Sequence, residues 1–244
     1  MPQFSDDLFL GTAVSGAVNT DGPSPVDVGV GPMGRVYLFD VVPTVIPVAG
    51  LSTAAAVGSG ASLVLKTATG ITSRVRADGT TEYVFDVPRS CSVTAAGANT
   101  ATYTITGYDQ YGQRMSQTIA APSTSTVNTT KMFKTIISIT NANATIAGSN
   151  ISASFGDLIG LPIRMIARDY SVGCNFNATA VALTAITVAD VTSPATTATT
   201  DVRGYVTLPT ASDSTKRLIV AIGVPAIAAG PNATRIGAYG VTQV

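Results

Sequence analysis

The chain has 244 residues, enough to bury a substantial core as one large or two small domains. Its 14 basic and 14 acidic residues cancel, and charged side chains are only 11% of the total, so no basic stripe exists to neutralise phosphates and nucleic acid is not an expected partner. Histidine is absent, which excludes Ser–His and Cys–His nucleophilic sites and every His-ligated metal site.

Thr, Ala and Val dominate, and Glu82 is the single glutamate. β-Branched side chains suit a pleated surface, whereas a chain short of Glu, Lys, Leu and Gln lacks the usual formers of long surface helices. The expected class is all-β, built as β-sandwich units of Ig-like or jelly-roll-like type with extended N- and C-terminal arms.

Residues 1–50 are rich in proline (Pro23, Pro25, Pro32, Pro43 and Pro47), which cannot donate to a ladder and is confined to edges and turns. This segment reads as an extended arm with one edge strand, Arg35 to Phe39. It either reaches over its own domain or a neighbour, or forms an irregular lead-in to the first sheet. The opening MPQFSDDLFLG carries acids where a secretory signal needs basic residues, so export is not expected. Asp6 and Asp7 suit the cap of a short helical turn, plain solvation or contact with a cation. Gly29-Val30-Gly31-Pro32-Met33-Gly34 matches G-x-G-x-x-G literally, but Pro32 sits inside it and a strand-like RVYLFD follows. A dinucleotide site needs a helix there, so no cofactor is expected.

Residues 51–155 read as a β-sandwich domain. Strands are expected at Ser62 to Lys66, Thr81 to Val87, Ser92 to Thr94 and Lys131 to Ile139, with a tight turn at Asp78-Gly79. The clearest signal is Thr102 to Ile119. Tyr103 and Ile105 alternate with threonines, GYDQYG breaks the pattern, and Met115, Gln117 and Ile119 resume it. That is a β-hairpin with one apolar face. Tyr108 and Tyr111 at its tip are suited to stacking on a sugar or filling a partner's pocket, or to packing on their own sheet.

A second β unit is expected over residues 156–244, divided from the first at the Gly- and Pro-punctuated segment Phe155 to Pro162. Its strands are placed at Ile163 to Ala167, Ala180 to Val188, Gly204 to Leu208 and Arg217 to Ile222, followed by an extended C-terminal tail. Asp78, Asp109, Asp157 and Asp213 have the neighbours of Asx-turn formers rather than of catalysts. Cys91 and Cys174 read as small buried hydrophobes. The N-x-S/T triplets at Asn128, Asn143, Asn150, Asn177 and Asn232 follow from composition. No run reaches the ~18 apolar residues of a membrane helix, so no membrane partner is expected. No catalytic, cofactor-binding or metal site emerges.

Three stretches carry a family resemblance: Val87-Pro88-Arg89 through GYDQYGQ to KMFKTIISI; FGDLIGLPIR; and TSPATTATTDVRGYVTLPTASDSTKRLIVAI. In this order, over about Val87 to Ile222, the chain resembles the capsid decoration, or cement, proteins of tailed bacteriophages. The resemblance implies a non-enzymatic virion protein made in the bacterial host cytoplasm. It would bind the outside of the major capsid protein lattice, associate with itself as a trimer, and hold capsomers together against packaged DNA. Tail, adaptor and head-fibre components share this texture and form the alternative. A carbohydrate-binding or adhesive module using Tyr108 and Tyr111 is the alternative from another class. A surface poor in charge fits a subunit packed against neighbours.

Overall fold

The computed structural model describes residues 5–9, 33–120, 122, 124–143, 150–165, 167–190 and 200–225. Fifteen strands and two single-turn 3-10 helices lie among them, and the protein is all-β and sandwich-like. In chain order the strands are β1 (Ser5–Phe9), β2 (Met33–Val41), β3 (Ser52–Ala55), β4 (Ile71–Val75) and β5 (Thr81–Ala95). Next come β6 (Tyr103–Tyr108), β7 (Arg114–Ile119), β8 (Thr126–Asn128), β9 (Phe133–Asn141) and β10 (Ile151–Gly160). The last five are β11 (Ser171–Phe176), β12 (Thr179–Ala180), β13 (Ile186–Val188), β14 (Gly204–Thr207) and β15 (Leu218–Pro225).

β5 organises the larger sheet. Its first half pairs with β4 and β9, and its second half with β10 and β8, all antiparallel. The change of partners falls at Pro88, where the register to β9 shifts between Val84 and Arg89. Proline lacks the ladder donor and is accommodated at a bulge, which bends the strand and raises its twist. β5 thereby curls a ten-stranded sheet, with the path β13-β14-β10-β5-β9-β6-β7, around a first core. That core includes Leu51, Phe85, Cys91, Tyr103, Ile105, Met115, Ile136, Ile139 and Phe155. A five-stranded sheet, β1-β2-β15-β11-β12, covers the other wing. Phe39, Phe176, Leu218, Val220 and Ile222 from it meet Ile159, Ile186 and Val206 in a second core.

The hairpin over 102–119 forms as its alternation predicts: Tyr103, Ile105, Met115 and Ile119 are buried, and the register runs from Tyr103↔Ile119 to Tyr108↔Arg114. Asp78-Gly79 makes its turn, with Gly79 at φ +81° and the Thr80 N–H donating to Asp78 Oδ1 at 2.9 Å.

Several expectations are corrected. β2 is not an edge strand: β1 lies on one side and β15 on the other, with Phe39 opposite Val220. Asp6 and Asp7 belong to the strand β1 rather than to a helical turn. Residues 62–66 form no regular strand, although Ser62 bridges Thr140 and the Leu63 N–H donates to Ile139 O at 2.9 Å. Residues 163–165 and 167 are irregular, and Ala180 to Val188 is interrupted by the 3-10 turn Leu183–Ala185. Phe155 to Gly160 is not a break but part of β10, which gives Phe155 to the first core and Ile159 to the second. The glycines there serve close packing: a Cβ on Gly156 would stand 2.5 Å from Ser90 Oγ, and one on Gly160 2.6 Å from Met132 Cβ. The ends of the proposed arms, residues 10–32 and 226–244, lie outside the described residues.

Candidate functional site

Asp109 shapes the hairpin tip. Its Oδ1 accepts the N–H groups of Tyr111 at 2.8 Å and Gln113 at 2.9 Å, the Asx-type role its neighbours predict. Its Oδ2 does something local sequence does not announce. It pairs with Arg203 Nη2 at 2.8 Å, both side chains buried, and so fastens the tip to the segment before β14. The Arg203 guanidinium also lies 4.7 Å from the Tyr111 ring, and the Tyr111 hydroxyl donates to Pro162 O at 2.8 Å. Arg76 covers the Tyr108 ring at 4.2 Å. Each tyrosine therefore has an arginine against it, and Tyr111, 59% exposed, has its hydroxyl already engaged.

A second polar node centres on Arg89, whose side chain has no exposed surface. Nε donates to Gly156 O at 3.0 Å and Nη1 to Thr44 O at 2.9 Å. Both Asp86 oxygens lie 3.3 Å from Nη1, while Nη2 reaches Asp157 Oδ1 at 2.9 Å and Ser212 Oγ at 2.8 Å. The guanidinium sits 4.0 Å over the Phe155 ring. Burial pulls Arg89 below its ordinary pKa, and the Asp86 and Asp157 carboxylates oppose that. Asp157 thus corrects an expectation: it forms no turn but accepts from Arg89 and Ser212 within β10. Asp213 does cap its turn, accepting from Thr215 and Lys216 N–H, which holds its carboxyl well below the usual range.

Asp201 is buried beside the β8–β9 connection. It accepts the Met132 N–H at 2.8 Å and the Arg203 N–H at 2.9 Å, yet burial still pushes its carboxyl above the ordinary value. Buried Lys131 donates to Ser116 O at 3.1 Å, and Gln117 Oε1 accepts the N–H groups of Thr130 and Lys131 at 2.9 Å. Thr130 and Lys131 therefore lie against β7 and occupy part of its edge, a strand edge that could otherwise pair with another chain. Sequence reasoning passed over Arg89, Lys131, Asp201 and Arg203. The available signal was a charge set inside an apolar or strand-like run, as in Val87-Pro88-Arg89-Ser90-Cys91.

With charges paired inward in this way, the outer face of β6, β7 and β9 presents hydroxyls. Register aligns Thr118, Thr104 and Thr140 in one row, which Ser62 extends, and Ser116, Thr106 and Ser138 in the next. Oγ atoms touch at 2.9 Å between Thr104 and Thr118 and at 2.8 Å between Ser62 and Thr140. The strands that carry a row are about 4.8 Å apart, and successive rows are about 7 Å apart along the strands. None of these positions is charged; the next outward position of β7 is the exposed Arg114, opposite Tyr108.

Beside the hairpin tip lies a cleft of about 180 Å³, with Arg74, Arg76, Glu82, Tyr108, Gln110 and Lys134 among its walls. Among the described residues no three Cys, Asp or Glu side chains converge to hold a metal ion. Cys91 and Cys174 are free and buried, and burial pushes the Cys174 thiol up to about 11 and that of Cys91 higher still, so neither is a ready nucleophile. Gly34 lies within β2, a strand, so the helix required by a dinucleotide site does not follow the glycines. No described helix is long and apolar enough to cross a membrane.

No protein-family model, curated protein or solved structure matches the chain. The class defined by the fold is an all-β, sandwich-like protein of curled antiparallel sheets.

Proposed function

We propose that this chain is a non-enzymatic structural protein of a tailed-phage virion that binds the outside of the major capsid protein lattice and reinforces the head. The carrying observation is the pair of uncharged hydroxyl rows on the outer face of β6, β7 and β9, bounded at one end by exposed Arg114 and backed by ion pairs within the fold. Such a face offers many weak hydrogen bonds and little electrostatic steering. It suits a part held by repeated contacts on a regular lattice, where each additional contact is effectively intramolecular. Self-association as a trimer would multiply those contacts threefold. The resemblance of Val87 to Ile222 to decoration proteins supports the same reading.

The test is to add purified protein to particles that lack it and measure occupancy. Saturation at a simple ratio to the major capsid protein is expected. The double substitution Thr104→Lys and Thr106→Lys, which places two charges on the outer face and leaves the core untouched, should lower occupancy at least tenfold without lowering the melting temperature. Unchanged occupancy would remove the hydroxyl face from the account. Absence of saturable binding by the unaltered protein would remove the shell role. Occupancy of a few per cent would move the protein to the tail, an adaptor or a head fibre.

A further inference from the structure

The cleft beside the hairpin tip has donors and acceptors that the fold leaves unanswered. Arg74 and Arg76 come from β4 and the residue after it, Glu82 from β5, Lys134 from β9 and Gln110 from the β6–β7 turn. Three cations thus face one carboxylate, because the cleft's other acid, Asp109, is paired with Arg203. Arg74 pairs with Glu82 Oε1, leaving Oε2 buried without a hydrogen bond and 3.5 Å from Arg76 Nη1. The amide nitrogen and oxygen of Gln110 are likewise buried with no partner. Lys134 donates to the carbonyls of Phe85 at 2.6 Å and Asp86 at 2.8 Å, which leaves one N–H of its ammonium unused.

Buried polar atoms without a hydrogen bond cost stability and are uncommon in native proteins; the two Gln110 atoms, with Glu82 Oε2 held only by its ion pair to Arg76, mark the cleft as a place for a polar ligand. An excess of cations selects an anion. The acceptors without a hydrogen bond, Glu82 Oε2 and Gln110 Oε1, would repel a bare anion and are suited to hydroxyl donors on the same molecule. We infer that the cleft binds a small polyhydroxylated carboxylate, the chemistry of a sugar acid. Its carboxylate lies toward Arg76 and Lys134, and its hydroxyls donate to Glu82 and Gln110. The volume matches: about 180 Å³ holds roughly six waters at ~30 Å³ each, the space of one small organic acid. The Tyr108 ring forms a wall with Arg76 against it, so recognition runs through polar groups rather than through sugar stacking. This inference is independent of the shell reading.

The experiment is calorimetric titration of the full chain at constant ionic strength with potassium glucuronate, glucose and inorganic phosphate. Saturable glucuronate binding is expected, with glucose and phosphate each at least tenfold weaker. Phosphate binding as well as glucuronate would reduce the cleft to an anion patch and overturn the inference, as would glucose binding equally well. Arg76→Gln and, separately, Gln110→Leu should each weaken glucuronate at least tenfold while far-UV circular dichroism shows the fold retained. Full binding by both variants would place the acid elsewhere and defeat the assignment. A glucuronate-terminated disaccharide distinguishes the source of the ligand. Tighter binding than free glucuronate identifies a glycan end, and weaker binding a free acid.

Discussion

Replacing Arg89 with Met keeps most of the side-chain volume and removes the charge and five donors from the most connected polar node among the described residues. Asp86 and Asp157 would lose their cation, and the carbonyls of Thr44 and Gly156 and the Ser212 hydroxyl would lose a donor. Removing one partner of a buried ion pair typically costs 3–5 kcal/mol. Asp86 and Asp157 retain 16% and 21% exposure, so water can partly replace the guanidinium. That places the expected loss near the lower end, about 3 kcal/mol. With a urea m-value of about 3 kcal/mol/M at the upper end of the usual range, the unfolding midpoint should fall by about 1 M at unchanged slope. Arg89→Lys should recover little, since an ammonium has three donors on a single atom and cannot span Thr44, Gly156, Asp157 and Ser212 together. Equilibrium urea unfolding followed by far-UV circular dichroism measures both variants. A loss below about 1 kcal/mol for Arg89→Met would refute the idea that this arginine clamps the 44–45 segment, β5, β10 and the Ser212 loop together.

Gly107→Ala should cost about 1–3 kcal/mol by overpacking, because the added Cβ would fall 1.9 Å from Thr135 O; Gly112→Ala, at positive φ but in open space, should cost only about 1 kcal/mol, and thermal melts rank the two. Carbon-detected NMR across a pH series should place the Asp201 midpoint above 3.8 and those of Asp78 and Asp213 below it. The signs follow by linkage: the Asp201 contribution to stability is greatest below 3.8 and is lost as pH rises through its folded value. The Asp78 and Asp213 contributions are present above 3.8 and lost as pH falls through theirs. Native protein should leave both Cys91 and Cys174 unlabelled by a thiol-reactive disulfide over minutes and label both after unfolding; stoichiometric labelling of the native state would contradict their burial.

The 102–119 hairpin was legible because its information is local: alternation fixes which face is buried, and Asp109 with Gly112 supplies the turn. Asp78-Gly79 was readable for the same reason. β10 was hidden because Gly156 and Gly160 look like punctuation when read alone. Their reason for being glycine, the approach of Ser90 and Met132, comes from other strands. The interior position of β2 depends on β15, whose register runs from Leu218↔Val41 to Pro225↔Gly34, and no local pattern reports that pairing. Apolar stretches at Leu63 to Leu65 and Ile163 to Met165 contribute buried Leu63 and Met165 from irregular backbone, so hydrophobicity there does not imply strand. The polar nodes were least visible of all. Arg89 meets Asp157 and Ser212 across 68 and 123 residues, and whether a charge in a strand is buried depends on such partners arriving.

The central claim is a place on the capsid lattice, and the copy number of this chain in the particle tests it most directly. Quantitative mass spectrometry of purified virions should give a ratio to the major capsid protein near one, or a simple fraction such as a third. Absence of the chain from purified particles would contradict the account.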